Sequence, residues 1–123
     1  MIAFITSKGT LDKENPNVRK YIAQRADLLG AIRLPNDTFK AAAGTEVTSD
    51  IIFLQKRDRL IDIEPDWVHL ATDANGIRMN AYFVDNPEMV LGDMQMVSGP
   101  HGMESACIAY ENAELGDLLR DAI

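Results

Sequence analysis

Ser49-Asp50-Ile51-Ile52-Phe53-Leu54-Gln55-Lys56 is the stretch on which the fold turns. Four consecutive apolar residues, rich in β-branched and aromatic character, sit between polar ends, and Lys56-Arg57-Asp58-Arg59 marks the exit to solvent, so a buried strand over 49–56 is expected. Upstream, Leu28 to Leu34 reads as another strand, stopped by Pro35-Asn36-Asp37. The intervening segment, Pro35 to Thr48, is too short for a crossover helix, so the two strands are expected to pair antiparallel.

Further toward the N-terminus, Asn15-Pro16 is a helix-start signal, because proline in the first helical turn forfeits no intrahelical bond. The spacing predicts a helix from Pro16 to Ala26 that packs Val18, Tyr21, Ile22 and Ala26 on a sheet and turns Arg19, Lys20, Gln24 and Arg25 elsewhere. Ile2-Ala3-Phe4-Ile5-Thr6 is a short apolar run that reads as a buried, parallel strand. It opens with no lead-in, so neighbouring strands are expected upstream of Met1. With the loop Ser7-Lys8-Gly9, the helix and the strand that follows, the segment has the size of a βαβ unit.

Downstream of Asp58 the signals are shorter. Trp67 to Leu70 reads as a short strand closed by the turn Asp73-Ala74-Asn75-Gly76, and Asn80 to Gly92 as one or two helical turns around Asn86-Pro87. Met94 to Val97 and Ala106 to Tyr110 are expected to pair across Ser98–Gly102, and Ala113 to Ala122 reads as a closing helix with Leu115, Leu118, Leu119 and Ala122 on one side. The pattern leaves open whether residues 59–123 pack on the first half.

Composition narrows the function classes. The chain has 123 residues, 46% hydrophobic and 25% charged, enough for one domain with a real core rather than a disordered segment. The longest apolar runs, Ile51–Leu54 and Met89–Leu91, fall far short of the roughly 18 residues a membrane span needs, so no membrane partner is expected. No secretory leader precedes Ile2, and Cys107 is the sole cysteine, which points to the cytoplasm and no disulfide framework. The net charge of −7 is uneven: residues 1–60 carry +3 and residues 61–123 carry −10, so a phosphate-contacting surface is expected in the first half.

Catalytic and metal-binding patterns are sparse. His69 and His101 have no Cys or His at ligand spacing, so no metal is expected, and turn chemistry accounts for Ser98 to Gly102 without a catalytic triad. Acid pairs such as Asp62/Glu64 and Glu111/Glu114 read as solvated surface. Met89, Met94, Met96 and Met103 read as fillers of a small second core, and Cys107 as a small buried apolar residue.

The ordered set Ala3-Phe4-Ile5-Thr6-Ser7-Lys8-Gly9-Thr10-Leu11-Asp12, Val18–Ile22, Gly30-Ala31-Ile32-Arg33-Leu34-Pro35, Phe39, and Gly44–Lys56 is similar to one stretch of the adenine-N6 DNA methyltransferases. The resemblance covers residues 2–58, and residues 80–92 look like the tail of the large methylase–helicase fusions of mobile elements. It is strongest to the type I modification subunits and those fusions. It implies the order strand, helix, strand, Leu-Pro loop with a phenylalanine, and final antiparallel strand. The implied fold is α/β: the last strands of a Rossmann-like methyltransferase sheet over residues 1–58, followed by a small acidic α+β extension over residues 59–123.

Two motifs that the family needs are missing. No Gly-rich strand-to-helix turn is present to hold S-adenosylmethionine, and no Asn-Pro-Pro-Tyr or Asp-Pro-Pro-Tyr is present to hold the target amine; Asn15-Pro16 and Asn86-Pro87 are each followed by the wrong residue. Donor binding and catalysis would then belong to a missing N-terminal half, leaving this chain with no catalytic, cofactor-binding or metal-binding residue of its own. Phe39 stands where the family stacks its flipped base, and reads equally as a core anchor that pins its loop; Lys8, Arg33 and Lys40 are DNA-contact candidates through the intact parent. A different class of reading is a small acidic protein-interaction module, an assembly or anti-restriction factor. Either reading leaves an exposed sheet edge beside Ile2–Thr6 through which a homo-oligomer would form.

Overall fold

The computed structural model describes residues 1–38, 47–99, 102–110 and 114–122. Its centre is the strand on which the sequence reading turned. Strand β1 spans Ile2–Ser7, β2 Ala26–Leu34 and β3 Ser49–Lys56, and the sheet order is β1-β3-β2. β3 pairs antiparallel with both neighbours, from Ile2↔Leu54 to Ser7↔Ser49 on one side and from Ala26↔Lys56 to Leu34↔Ser49 on the other. Its apolar run follows from that position, because a central strand is covered on both faces.

β1 departs from expectation. It lies at the edge of the described sheet, paired antiparallel rather than parallel, with Ile2 53% and Ile5 57% exposed. The strand–helix–strand unit exists in chain order, but its two strands do not touch, because β3 returns between them. In β2 the pairing slips between Leu28 and Gly30, and Leu29 bulges out half-exposed.

Helix α1 is a single turn, Gly9–Asp12, and α2 spans Asn17–Arg25. The inward face of α2 is not Val18 and Tyr21, which are 57% and 60% exposed, but Arg19 and Ala23, with Ile22 beside them. The arginine wins the inward position because its polar end finds carbonyls there: Nε donates to Val68 O at 2.7 Å and Nη1 to Thr10 O at 3.3 Å. Outside, Arg25 stacks on Tyr21 at 3.5 Å.

The second half folds back onto the sheet. A 3₁₀ turn at Asp66–Val68, where a strand was expected to begin, leads into the hairpin of β4 (Leu70–Thr72) and β5 (Arg78–Asn80). At its tip Asp73 Oδ1 accepts from Asn75 N and Ile77 N, both at 2.9 Å, and Gly76 takes φ 80°, which favours glycine. α3 (Ala81–Asp85) and a 3₁₀ turn at Pro87–Met89 follow, then the hairpin of β6 (Asp93–Gly99) and β7 (Gly102–Ile108), and α4 (Leu115–Ala122). A Cβ on Gly92 would sit 2.5 Å from Ile108 O, so only glycine lets the chain pass β7 there.

Both faces of the sheet are therefore covered by later chain. On one, Ala31, Ile52 and Leu54 join Leu11 and Ala23 against Trp67, Val68, Met79, Phe83 and Cys107. On the other, Ile32, Leu34, Ile51 and Phe53 meet Leu91 and the α4 side chains Leu115, Leu118, Leu119 and Ala122. Cys107 is buried as expected, and Met94 is buried too, whereas Met96 and Met103 are 49% and 65% exposed and fill no core. The fold is mixed α/β in small antiparallel sheets, and among the described residues no helix is long and apolar enough to cross a membrane.

Candidate functional site

The register brings the end of β1, the end of β2 and the start of β3 together, through Ser7↔Ser49 and Leu34↔Ser49. Loop backbones lock this end: Lys8 N donates to Thr48 O at 3.0 Å, and Val47 N to Asn36 O at 3.0 Å. Two clefts flank the Ser7–Gly9 turn. One, of about 450 Å³, runs past Asn36, Thr48 and the β6–β7 hairpin. The other, of about 530 Å³, runs between α1 and the start of α2.

Of the residues singled out by sequence, Lys8 lines both clefts and is half-buried. Phe39 and Lys40 lie outside the described residues. Arg33 is not at the rim. It is 0% exposed, held by Asp50 through Nε at 2.8 Å and Nη2 at 2.9 Å, and by Asp12 through Nη1 at 2.8 Å and Nη2 at 2.9 Å. Its face lies 4.5 Å from the centre of the Phe83 ring. With its guanidinium committed inward, Arg33 has nothing to offer a phosphate, and it leaves the set of DNA-contact candidates. Burial works against its charge, but the two carboxylates outweigh burial and hold it protonated, above the usual arginine range. Burial pushes Asp50 upward against the pull of the same guanidinium.

Sequence reasoning missed three residues of this end. Asp12 bonds Arg33 with both oxygens and accepts from Asn80 N at 3.0 Å. Asn80, fully buried, donates from Nδ2 to Leu11 O at 2.7 Å and Trp67 O at 2.8 Å, while its Oδ1 caps α3 through Tyr82 N at 2.9 Å. Arg19 is the third. A signal for the Arg33–Asp50 pair was legible: Arg33 interrupts the apolar run of β2 and Asp50 stands directly before that of β3, and a charge in such a place needs a partner.

Chemically, the buried cluster is a satisfied structural network rather than a reaction centre. Cys107 is no nucleophile, since burial pushes its thiol up to about 12. Among the described residues no group of three or more His, Cys, Asp or Glu is placed to hold a metal. No family model, curated protein or solved structure matches this chain.

Proposed function

We propose that this chain is the C-terminal part of an S-adenosylmethionine-dependent adenine-N6 DNA methyltransferase domain, of the type I modification-subunit kind, and is inactive alone. It supplies a sheet edge and part of the wall of the target-base pocket, while the donor site and catalytic motif belong to the missing N-terminal half. The observation that supports this reading most is the sheet itself: strand, helix, strand, then a last strand antiparallel to its neighbours, with Leu34-Pro35 leading away beside the Ser7–Gly9 turn. The free edge of β1, with exposed Ile2 and Ile5, suits a sheet that continues into a partner. In this reading Lys8, which lines both clefts, joins Phe39 and Lys40 as the family-implied DNA contacts.

Mixing the chain with a polypeptide carrying the Gly-rich turn and the Asn/Asp-Pro-Pro-Tyr motif should create methylation of adenine-containing DNA, while each part alone stays silent. Ile5→Glu, on the free edge, should abolish the complementation without unfolding the chain. S-adenosylmethionine binding by the chain alone, seen by calorimetry, would overturn the reading. The same exposed edge and the −10 balance of residues 61–123 favour a second reading, an acidic interaction module acting as a homo-oligomer. Stable self-association with no complementation would favour it.

A further inference from the structure

Arg19 is 1% exposed, yet none of its hydrogen bonds reaches a carboxylate; they go to the carbonyls of Val68 and Thr10. Its Nη2 is buried without a hydrogen-bond partner among the described residues. A buried cation held by neutral groups, with a donor left over, is costly unless an anion completes it. The neighbouring acids are already committed. Asp12 gives both oxygens to Arg33, and Glu14 gives both to Arg78 Nε and Nη2, at 2.7 and 3.3 Å. Burial accordingly pushes the Arg19 guanidinium down, and the more distant pull of Asp12 and Glu14 does not restore it.

Arg19 also lines the cleft of about 530 Å³ beside the Ser7–Gly9 turn, together with Lys8, Lys13, Thr10, Asn15 and Asp12, whose carboxylate is bonded to Arg33. Neither lysine is in an ion pair among the described residues. The first turn of the nine-residue α2 opens on the same cleft through Val18 and Arg19, and such a turn presents N–H groups that have no intrahelical partner. Asn15 Oδ1 takes one of them, Asn17 N, at 3.0 Å.

We propose that this cleft binds a phosphate group, with Arg19 Nη2, Lys8 and Lys13 meeting its oxygens. The assignment of that phosphate to a DNA backbone rests on the methyltransferase reading; the anion site itself does not. A tetrahedral oxyanion suits a cleft lined by an arginine with an unused donor, two lysines and a helix start.

The test is a titration of the ¹⁵N-labelled chain, once with inorganic phosphate and once with a short DNA duplex. Phosphate should move the Arg19 side-chain N–H and Val18 amide signals saturably, and Lys8→Ala with Lys13→Ala should weaken that binding about tenfold at an unchanged unfolding midpoint. Matching shifts from the duplex, competed by phosphate, support the site and place its ligand on DNA. Shifts from phosphate but not from the duplex support the site and remove this contact from the methyltransferase reading. No saturable shift with either probe, or shifts indifferent to the lysine substitutions, overturns the proposal.

Discussion

Two arginines, Arg33 in β2 and Arg19 in α2, are equally buried, at 0% and 1% exposure, and are treated in opposite ways by their surroundings. Arg33 is clamped by two carboxylates and covered by an aromatic ring. Arg19 has two carbonyls and an unused donor. The first environment is closed: it joins α1, β2 and β3 and asks for nothing from outside. The second is open, and an open buried charge is where a ligand is expected. The difference shows that burial of a cation alone does not distinguish structure from function; the identity of its acceptors does.

The largest effect should come from breaking the closed cluster. Arg33→Met leaves Asp12 and Asp50 without their cation and should cost about 3–5 kcal/mol in urea unfolding, with part of the loss regained when Asp50→Leu is added. A loss below about 1 kcal/mol would mean that the carboxylates are solvated and the cluster is not closed. Arg19→Met should cost less, about 1–2 kcal/mol, because it removes two bonds to carbonyls but strands no charge. It should also abolish the phosphate response. Equal losses at the two positions would erase the distinction.

Cys107, buried in the same core, sharpens the contrast. With its thiol pushed up to about 12, it should resist alkylation at mildly alkaline pH in the folded chain and react fully in denaturant. Rapid labelling without denaturant would show that the β7 contact with the core opens readily. The smallest effect belongs to the surface. Glu64 bonds Lys20 and His69, which hold its carboxyl below the usual range, so the contribution is present above the ordinary carboxylate range and fades as pH falls through the lowered value. Both partners are about half exposed, so Glu64→Gln should leave the unfolding midpoint at neutral pH nearly unchanged, and a large drop would contradict the weakness of exposed pairs.

Much of the local structure was legible in the sequence. The bounds of β3, the start of α2, the Asp73–Gly76 turn, the β6–β7 pairing and the closing helix all follow from signals within a few residues of one another. The apolar run of 51–54 announced a buried strand, and the short segment before it an antiparallel pairing with β2. Less of the candidate site was legible. Lys8, named from the sequence, lines both clefts, but Arg33 was read as outward because nothing local to it names Asp12, 21 positions away, as its partner. Arg19 was read as outward because helical periodicity counts an arginine as polar, although its stem can be buried wherever its head meets carbonyls.

By itself, then, the sequence determined which segments form strands and helices, that the chain supports a core, and that its charge divides into a basic first half and an acidic second half. Only the tertiary structure decided that β3 lies between β1 and β2, that the acidic half covers both faces of their sheet, and which buried arginine is neutralised. The reason is range: backbone propensity and hydrophobic period act over a few residues, whereas a guanidinium chooses its acceptors from whatever distant chain the packing delivers.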